Sequence, residues 1–404
     1  MTSLIIFILF SSYIIYSIRS HRNHKARMFE EFEHRIHVNG IRGKSSVTRL
    51  IAAALREGKV KTLGKTTGTA ARILVNHRKD IVVPRKEADI VEQKRILDSY
   101  RNAGYKAVVF ECMAINPIYQ NYLEKKIMHS TIGVITNIRE DHMDMLGETL
   151  PEIARSLCAT IPTNGHLVTA ETNKELLTIL EQECKARNTV LHSVGDMKIG
   201  EKHMSKFKHF EYKANVAIAL KVAQLVGVKR STALAGMHKA LPDPGAFILK
   251  QVKRRKKTLH WANLFAINDR ESFVLTSQTL CSKVGSNTKK AVILNNRHDR
   301  PERVGQFVDI AVNSVKADYI FTFGDYEQKV LKEVQRYGKK RFTKKIKVVN
   351  LGNTSPYRDA DGSQLLNQIS EHVTEDECLL LGAVNIHTKQ SQALLRLLER
   401  KYAH

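Results

Sequence analysis

The chain has 404 residues, 43% of them hydrophobic and 26% charged, with only 8 Pro and 21 Gly. That length supports two or three domains with buried cores, and the composition excludes a disordered, collagen-like or mucin-like chain. A surplus of 65 Lys and Arg over 40 Asp and Glu gives a net charge of +25, which favours anionic partners: nucleic acid, anionic lipid or an acidic substrate.

Residues 4–18, LIIFILFSSYIIYSI, carry no charged side chain. Eighteen helical residues rise about 27 Å, close to a hydrocarbon core of about 30 Å. Arg19, His21, Arg22, His24, Lys25 and Arg27 follow at once. Basic residues stay on the cytoplasmic side, so the pattern predicts a single-pass membrane anchor over 1–18, a basic juxtamembrane linker over 19–34, and a cytoplasmic remainder at the cell membrane. A cleaved signal peptide would need basic residues before the apolar run and a small-x-small site after it; neither is present, and a buried helix is the other alternative.

The most informative stretch is Arg35–Arg49, RIHVNGIRGKSSVTR. Ile36 and Val38 mark a strand that runs into Gly40-Ile41-Arg42-Gly43-Lys44-Ser45. Val47, Leu50, Ile51, Ala54 and Leu55 then fall on one helical face. Strand, Gly-rich turn and helix make a phosphate cradle: glycines admit the phosphates to backbone N–H groups, and the helix N-terminus favours negative charge. Lys44 is expected to reach the β- and γ-phosphates and the Ser45 hydroxyl to ligate Mg²⁺. Val38 stands where the longer P-loop has its first glycine, so the loop is a shortened G-x-x-G-K-S. The alternative for such a turn is a plain surface turn.

The apolar run Ala107–Phe110 ends at Glu111, at the strand edge where ligands bind in open α/β sheets, making Glu111 a candidate Mg²⁺ ligand. A solvent-exposed strand-end acid is its alternative. The next run, Ile132–Thr136, leads into Asn137-Ile138-Arg139-Glu140-Asp141-His142-Met143-Asp144, where His142 could hold a second metal through a neutral imidazole. Later runs at Ala291–Leu294, Tyr319–Phe323, Ile346–Val349 and Cys378–Leu381 alternate with helical patterns, which predicts parallel sheets covered by helices on both faces. Pro and Gly in Leu241–Gly245 suggest a boundary, giving an α/β domain over 35–243 and a second over 244–404. Six of the eight residues Lys250–Lys257 and seven of the twelve in Arg336–Lys347 are Lys or Arg; they read equally as polyanion contacts or as a solvated face on anionic lipid. The five cysteines form no C-x-x-C pair, so they read as reduced cytosolic thiols rather than as a zinc cage or disulfide framework.

Taken together, NGIRGKSSVTR (39–49), GKTTGTAAR (64–72), ECMAINP (111–117), EDHMDM (140–145), ATIPTNGH (159–166), PDPGA (242–246), Asn268-Asp269 and Asn385-Ile386-His387 resemble the Mur ligase superfamily. Within it, the chain is most similar to the poly-γ-glutamate synthase ligase subunits of the CapB/PgsB type. The resemblance implies a P-loop Mur-ligase-like ATPase domain followed by a smaller Rossmann-like α/β domain. It also implies ATP-dependent amide ligation with Mg²⁺, for capsule or released poly-γ-glutamate. Lys44, Glu111 and His142 are then the catalytic candidates, with Ser45, Glu111 and His142 on metal. Asn39, Gly40, Arg42, Gly43, Lys44, Ser45, Ser46, Asn215 and Asp269 become the nucleotide contacts, Asn215 at the adenine. Thr66, Thr67, Thr69, Arg72, Asn116, Lys250, Arg297 and His387 are the substrate candidates. The implied partners are glutamate, the growing polymer, small membrane subunits and the membrane; nucleic acid is not expected, and a homo-oligomer is open.

The match has departures. Ala246 follows Pro244-Gly245 where the superfamily tends to carry an Arg, leaving Lys250 as the candidate substitute; Lys keeps the charge without the bidentate fork. Glu211-Tyr212 stands where a His-Asn pair normally precedes the adenine Asn. The modified metal-binding lysine of many members is not identifiable, and a separate UDP-sugar domain is not expected. Rival readings are a folylpolyglutamate- or cyanophycin-type ligase, a P-loop kinase, and a membrane-tethered polyanion-binding protein. The last lacks an aromatic stacking platform, since Trp261 is the only Trp.

Overall fold

The structure is a computed structural model that describes residues 2–67, 71–76, 80–83, 90–207, 209–242, 249–265, 267, 270–285, 288–338, 346–385 and 387–400. The chain divides into two compact units, Met1–Ala246 and Phe247–His404. The boundary expected between 243 and 244 lies outside the described residues.

Helix α1 (Thr2–Glu31) opens the first unit. Ile5, Ile6, Phe7, Ile8, Leu9 and Phe10 are each more than half exposed. Among the described residues no helix is long and apolar enough to cross a membrane. The anchor expected over 1–18 finds no support among the described residues. Over the stretch expected as a linker, 19–34, α1 runs without a break to Glu31, and a strand begins at His34.

Eight strands follow: β1 (His34–Asn39), β2 (Thr62–Thr66), β3 (Arg72–Leu74), β4 (Asp80–Val82), β5 (Ala107–Glu111), β6 (Ile132–Ile135), β7 (His166–Thr169) and β8 (Val190–Ser193). They form one sheet in the order β4-β3-β2-β5-β1-β6-β7-β8. Six strands are parallel as expected, while β3 and β4 add an antiparallel edge. The short link from Thr66 to Arg72 cannot carry the crossover that a parallel neighbour needs, so the chain turns back on itself. Val38 pairs with Glu111 and Asn39 with Ile135, so the ends of β1, β5 and β6 lie side by side.

Helix α2 (Lys44–Glu57) buries all five predicted residues, Val47, Leu50, Ile51, Ala54 and Leu55, and also Ala52 and Ala53 on its other side. The reason is close helix packing. A Cβ added to Gly236 of the Arg230–His238 helix would lie 2.4 Å from the Ala53 carbonyl, so only small residues fit at that crossing. Helix Lys213–Leu225 packs along α2 as well.

The second unit contains β9 (Leu249–Arg254), β10 (Lys257–Asn263), β11 (Lys289–Asn296), β12 (Tyr319–Gly324), β13 (Lys347–Asn350) and β14 (Glu377–Ala383). Their order is β13-β12-β11-β14-β10-β9, with β9 antiparallel and the rest parallel. Alternate residues serve opposite cores. Val292 and Leu294 pack with Phe273 and Phe307, whereas Ala291 and Ile293 pack with Leu366, Ile369 and Leu394. The helices after β11 and β14 therefore cover opposite faces, and a topological switch point opens between those strands.

Candidate active site

The phosphate loop is shaped by two glycines in the left-handed half of backbone space. Gly40 has φ 123°, and a Cβ there would lie 2.1 Å from Thr136 Oγ1. Gly43 has φ 80° and caps α2, its carbonyl accepting from Val47 N at 2.8 Å. Lys44 Nζ donates to the Gly40 carbonyl at 2.7 Å and the Ile41 carbonyl at 3.3 Å, which holds the ammonium over its own loop. Burial lowers the Lys44 pKa, and the nearby Glu111 carboxylate opposes that shift.

Glu111 is 3% exposed at the end of β5. Its Oε2 accepts from Ser45 Oγ at 2.8 Å and from Thr67 N at 2.7 Å. Gln93 Nε2 holds the Glu111 carbonyl at 2.7 Å. One carboxylate thus joins the first turn of α2 to the end of β2. Hydroxyl and carboxylate oxygens are hard donors of the kind Mg²⁺ takes, so Ser45 and Glu111 fit such an ion. His142 caps the short Met143–Leu146 helix. Its side chain is half-exposed and stands 3.9 Å from Asp141, which pairs with Arg42 at 3.0 Å. Among the described residues no group of three or more His, Cys, Asp or Glu stands together to hold a metal.

The expected Asn39 contact faces elsewhere: its amide donates to Gln120 at 2.8 Å and Thr160 at 3.1 Å, inside the core. Asn215 lies beneath Gly43, its Nδ2 bonded to Glu211 at 2.7 Å. Asn116 caps the Pro117–Tyr122 helix, accepting from Ile118 N at 2.9 Å. Thr66 and Arg72 pair across β2 and β3 and share a face; Thr66 Oγ1 and Arg72 Nε are buried with no hydrogen-bond partner among the described residues. Ser46 sits in the first turn of α2. Thr69 and Asp269 lie outside the described residues.

In the second unit, Arg297 and His387 line a cleft of about 630 Å³ with Asp325, Arg358, Asp359 and Lys389. It sits at the switch point, where the loops after β11, β12 and β14 meet. Arg297 is paired with Asp299 at 2.7 Å. Lys250 is engaged within this unit, its Nζ donating to the Leu398 carbonyl at 3.3 Å. Much of the basic stretch 250–257 is similarly occupied: Arg254 bonds Asn367, Lys257 bonds the Ser370 carbonyl, and Arg255 pairs with Glu371. Those cations secure helix Gly362–His372 against the sheet. Of the second basic stretch, 339–345 lie outside the described residues.

Three features were missed in the sequence. Thr136 Oγ1 and Asn137 Nδ2 both donate to the Arg42 carbonyl, at 2.6 and 3.0 Å, bracing the loop from β6; their place right after an apolar run was the available signal. Glu211 anchors Asn215, signalled only by its oddity in the motif. His37 is fully buried against Glu124 at 2.8 Å. Burial pulls its pKa down, yet Cys112 and Glu124 outweigh that and raise it to about 10.

A P-loop unit followed by a second parallel-sheet unit defines a Mur-ligase-like α/β fold. The Yersinia pestis bifunctional folylpolyglutamate synthase/dihydrofolate synthase complexed with AMPPNP and Mn ion shares it, with a TM-score of 0.61 at 12% identity over 94% of this chain and 92% of that one. Residues 38–241 match the Mur ligase middle domain, and 248–401 match the poly-gamma-glutamate synthase CapB C-terminal domain. The capsule biosynthesis protein CapB of Bacillus anthracis is 38% identical over 294 residues, which is 72% of this chain and 63% of that relative. The PGA synthase CapB of Bacillus subtilis is 38% identical over 302 residues, 74% of this chain and 76% of that relative. The chain therefore spans less than two thirds of the B. anthracis relative. It belongs to the Mur ligase family, in the branch of the poly-γ-glutamate synthase CapB proteins.

Proposed function

We propose that the chain is an ATP-dependent acid–amino-acid ligase that extends poly-γ-glutamate through an acyl phosphate. The observation that carries this reading is the Glu111 carboxylate bonded to both Ser45 Oγ and Thr67 N directly beneath a Gly-Lys-Ser loop. Ser45 and Glu111 would hold Mg²⁺, which when bound neutralises phosphate charge and orients the triphosphate. The first-turn N–H groups of α2 and the Lys44 ammonium bind the β- and γ-phosphates. A carboxylate oxygen at the polymer end attacks the γ-phosphorus and ADP departs. The amine of an incoming glutamate then attacks the acyl carbon, and phosphate leaves as the amide forms. The chain's work is positioning and charge compensation between two anions. Thr66 Oγ1 and Arg72 Nε, buried near Thr67 with no hydrogen-bond partner among the described residues, suit the carboxylate that is to be activated. Arg297, Arg358 and Lys389 in the second unit's cleft suit the carboxylates of glutamate or its polymer.

The exposed apolar half of α1 supports attachment to small membrane subunits, short of a crossing. The basic stretch 250–257, largely tied to its own unit, weighs against a general polyanion-binding role. Incubating native membranes with ATP, Mg²⁺ and glutamate tests the reading. ADP, phosphate and a high-molecular-weight γ-linked product support it; ATP turnover indifferent to glutamate refutes it.

A further inference from the structure

We propose that Glu211 is a positioning residue for the phosphate loop, acting through Asn215; this rests on the nucleotide-binding reading above. Glu211 is 8% exposed just before helix Lys213–Leu225, which packs along α2. Burying a carboxylate is unfavourable unless its oxygens find donors. Here Oε1 accepts from Asn215 Nδ2 at 2.7 Å and from Tyr212 N at 3.0 Å, and Oε2 stands 3.8 Å from His209 Nε2.

The chemistry of the pair fixes an orientation. An ionised carboxylate only accepts, whereas an Asn side chain both donates and accepts. Asn215 must therefore turn its NH₂ toward Glu211 and its oxygen away. The oxygen then meets Gly43, where an added Cβ would lie 2.8 Å from Asn215 Oδ1. Gly43 is the left-handed residue that caps α2 and aims the first-turn N–H groups. Glu211, Asn215 and Gly43 thus form a second brace on the loop, beside that of Thr136 and Asn137 on the Arg42 carbonyl. A neutral residue at 211 that cannot accept frees the Asn215 amide to rotate, and its bulkier NH₂ would then press on Gly43.

The test uses the full chain with Glu211→Ala and Glu211→Gln. Readouts are KM for ATP, KM for glutamate, and ADP binding by calorimetry. Losing one hydrogen bond to a charged acceptor predicts that Glu211→Ala raises KM for ATP and weakens ADP binding about tenfold. KM for glutamate should not move. The amide oxygen of Glu211→Gln can still accept from Asn215, so this variant should stay within about twofold of the parent. In a double-mutant cycle, Glu211→Ala should add nothing to Asn215→Ala. The proposal is overturned if both KM values rise together, if Gln is no better than Ala, or if the two substitutions are additive. A parent chain that binds no ADP overturns the ligase reading and this proposal with it; one that binds ADP, with affinity unchanged in Glu211→Ala, overturns this proposal alone.

Discussion

Replacing Glu111 with Gln separates its charge from its shape. Oε2 takes hydrogen bonds from Ser45 Oγ at 2.8 Å and Thr67 N at 2.7 Å, and the amide oxygen of a glutamine can take the same two. Charge-assisted bonds are about twice as strong as neutral ones, so each loses about 1 kcal/mol and the fold about 2 kcal/mol. A Tm lowered by several degrees, with the unfolding transition still cooperative, is the expected result. The consequence for metal is larger. Removing an anionic oxygen beside Ser45 should raise the Mg²⁺ needed for half-maximal turnover about 10–100-fold, since even indirect partners of metal ligands are worth that much. A third effect follows from Lys44, whose pKa burial lowers and Glu111 raises. Without the carboxylate the first of the raising influences is gone, leaving Cys112 and Asp141 against burial and Arg42, so Lys44 loses its proton at lower pH and the alkaline limb of the rate profile moves toward acid. Initial rates of ADP release, measured across Mg²⁺ concentration and pH, read both effects. An unchanged Mg²⁺ response, or an alkaline limb that stays put or moves to higher pH, would refute the assignment of Glu111.

Lys44→Ala should abolish glutamate-dependent ADP release while leaving the fold intact; normal turnover would remove the loop from the mechanism. Gly40→Ala forces a Cβ to within 2.1 Å of Thr136 Oγ1 at φ 123°, so stability should drop by about 2 kcal/mol or more and ADP binding should fail with it; denaturant unfolding and calorimetry check this. His37 should make stability depend on pH. Its folded pKa of about 10 lies above the ordinary 6.5, so its contribution is complete below pH 6.5 and is lost as pH rises through about 10. The stability difference between the parent and His37→Gln should therefore shrink over that range, and a difference that grows would contradict the buried His37–Glu124 pair.

How much was legible depended on whether the signal was local. Strand, loop and helix around Gly43 announce themselves because glycine spacing and a helical apolar face are short-range patterns, and α2 buries each predicted apolar residue. Glu111 could be found because an acid directly after a buried run must emerge at the sheet edge. Asn39 misled for the opposite reason: it stands in the motif, but Gln120 and Thr160, distant in sequence, claim its amide. Lys250 and its basic neighbours read as free charge, since nothing local reveals the helix-end carbonyls they bind. The β3–β4 edge and the continuous α1 were missed because apolar runs of three residues and a polar helical tail give weak periodicity.

Carboxyl activation by phosphoryl transfer is the central claim, and oxygen-isotope transfer tests it most directly. Glutamate or a short γ-linked oligomer, labelled with heavy oxygen in its carboxylates, is turned over with ATP and Mg²⁺, and the released phosphate is analysed by mass spectrometry. The account predicts that each amide formed delivers a single labelled oxygen into inorganic phosphate, with ADP unlabelled. Amide formation that leaves phosphate unlabelled, or that puts the label into AMP, would contradict it.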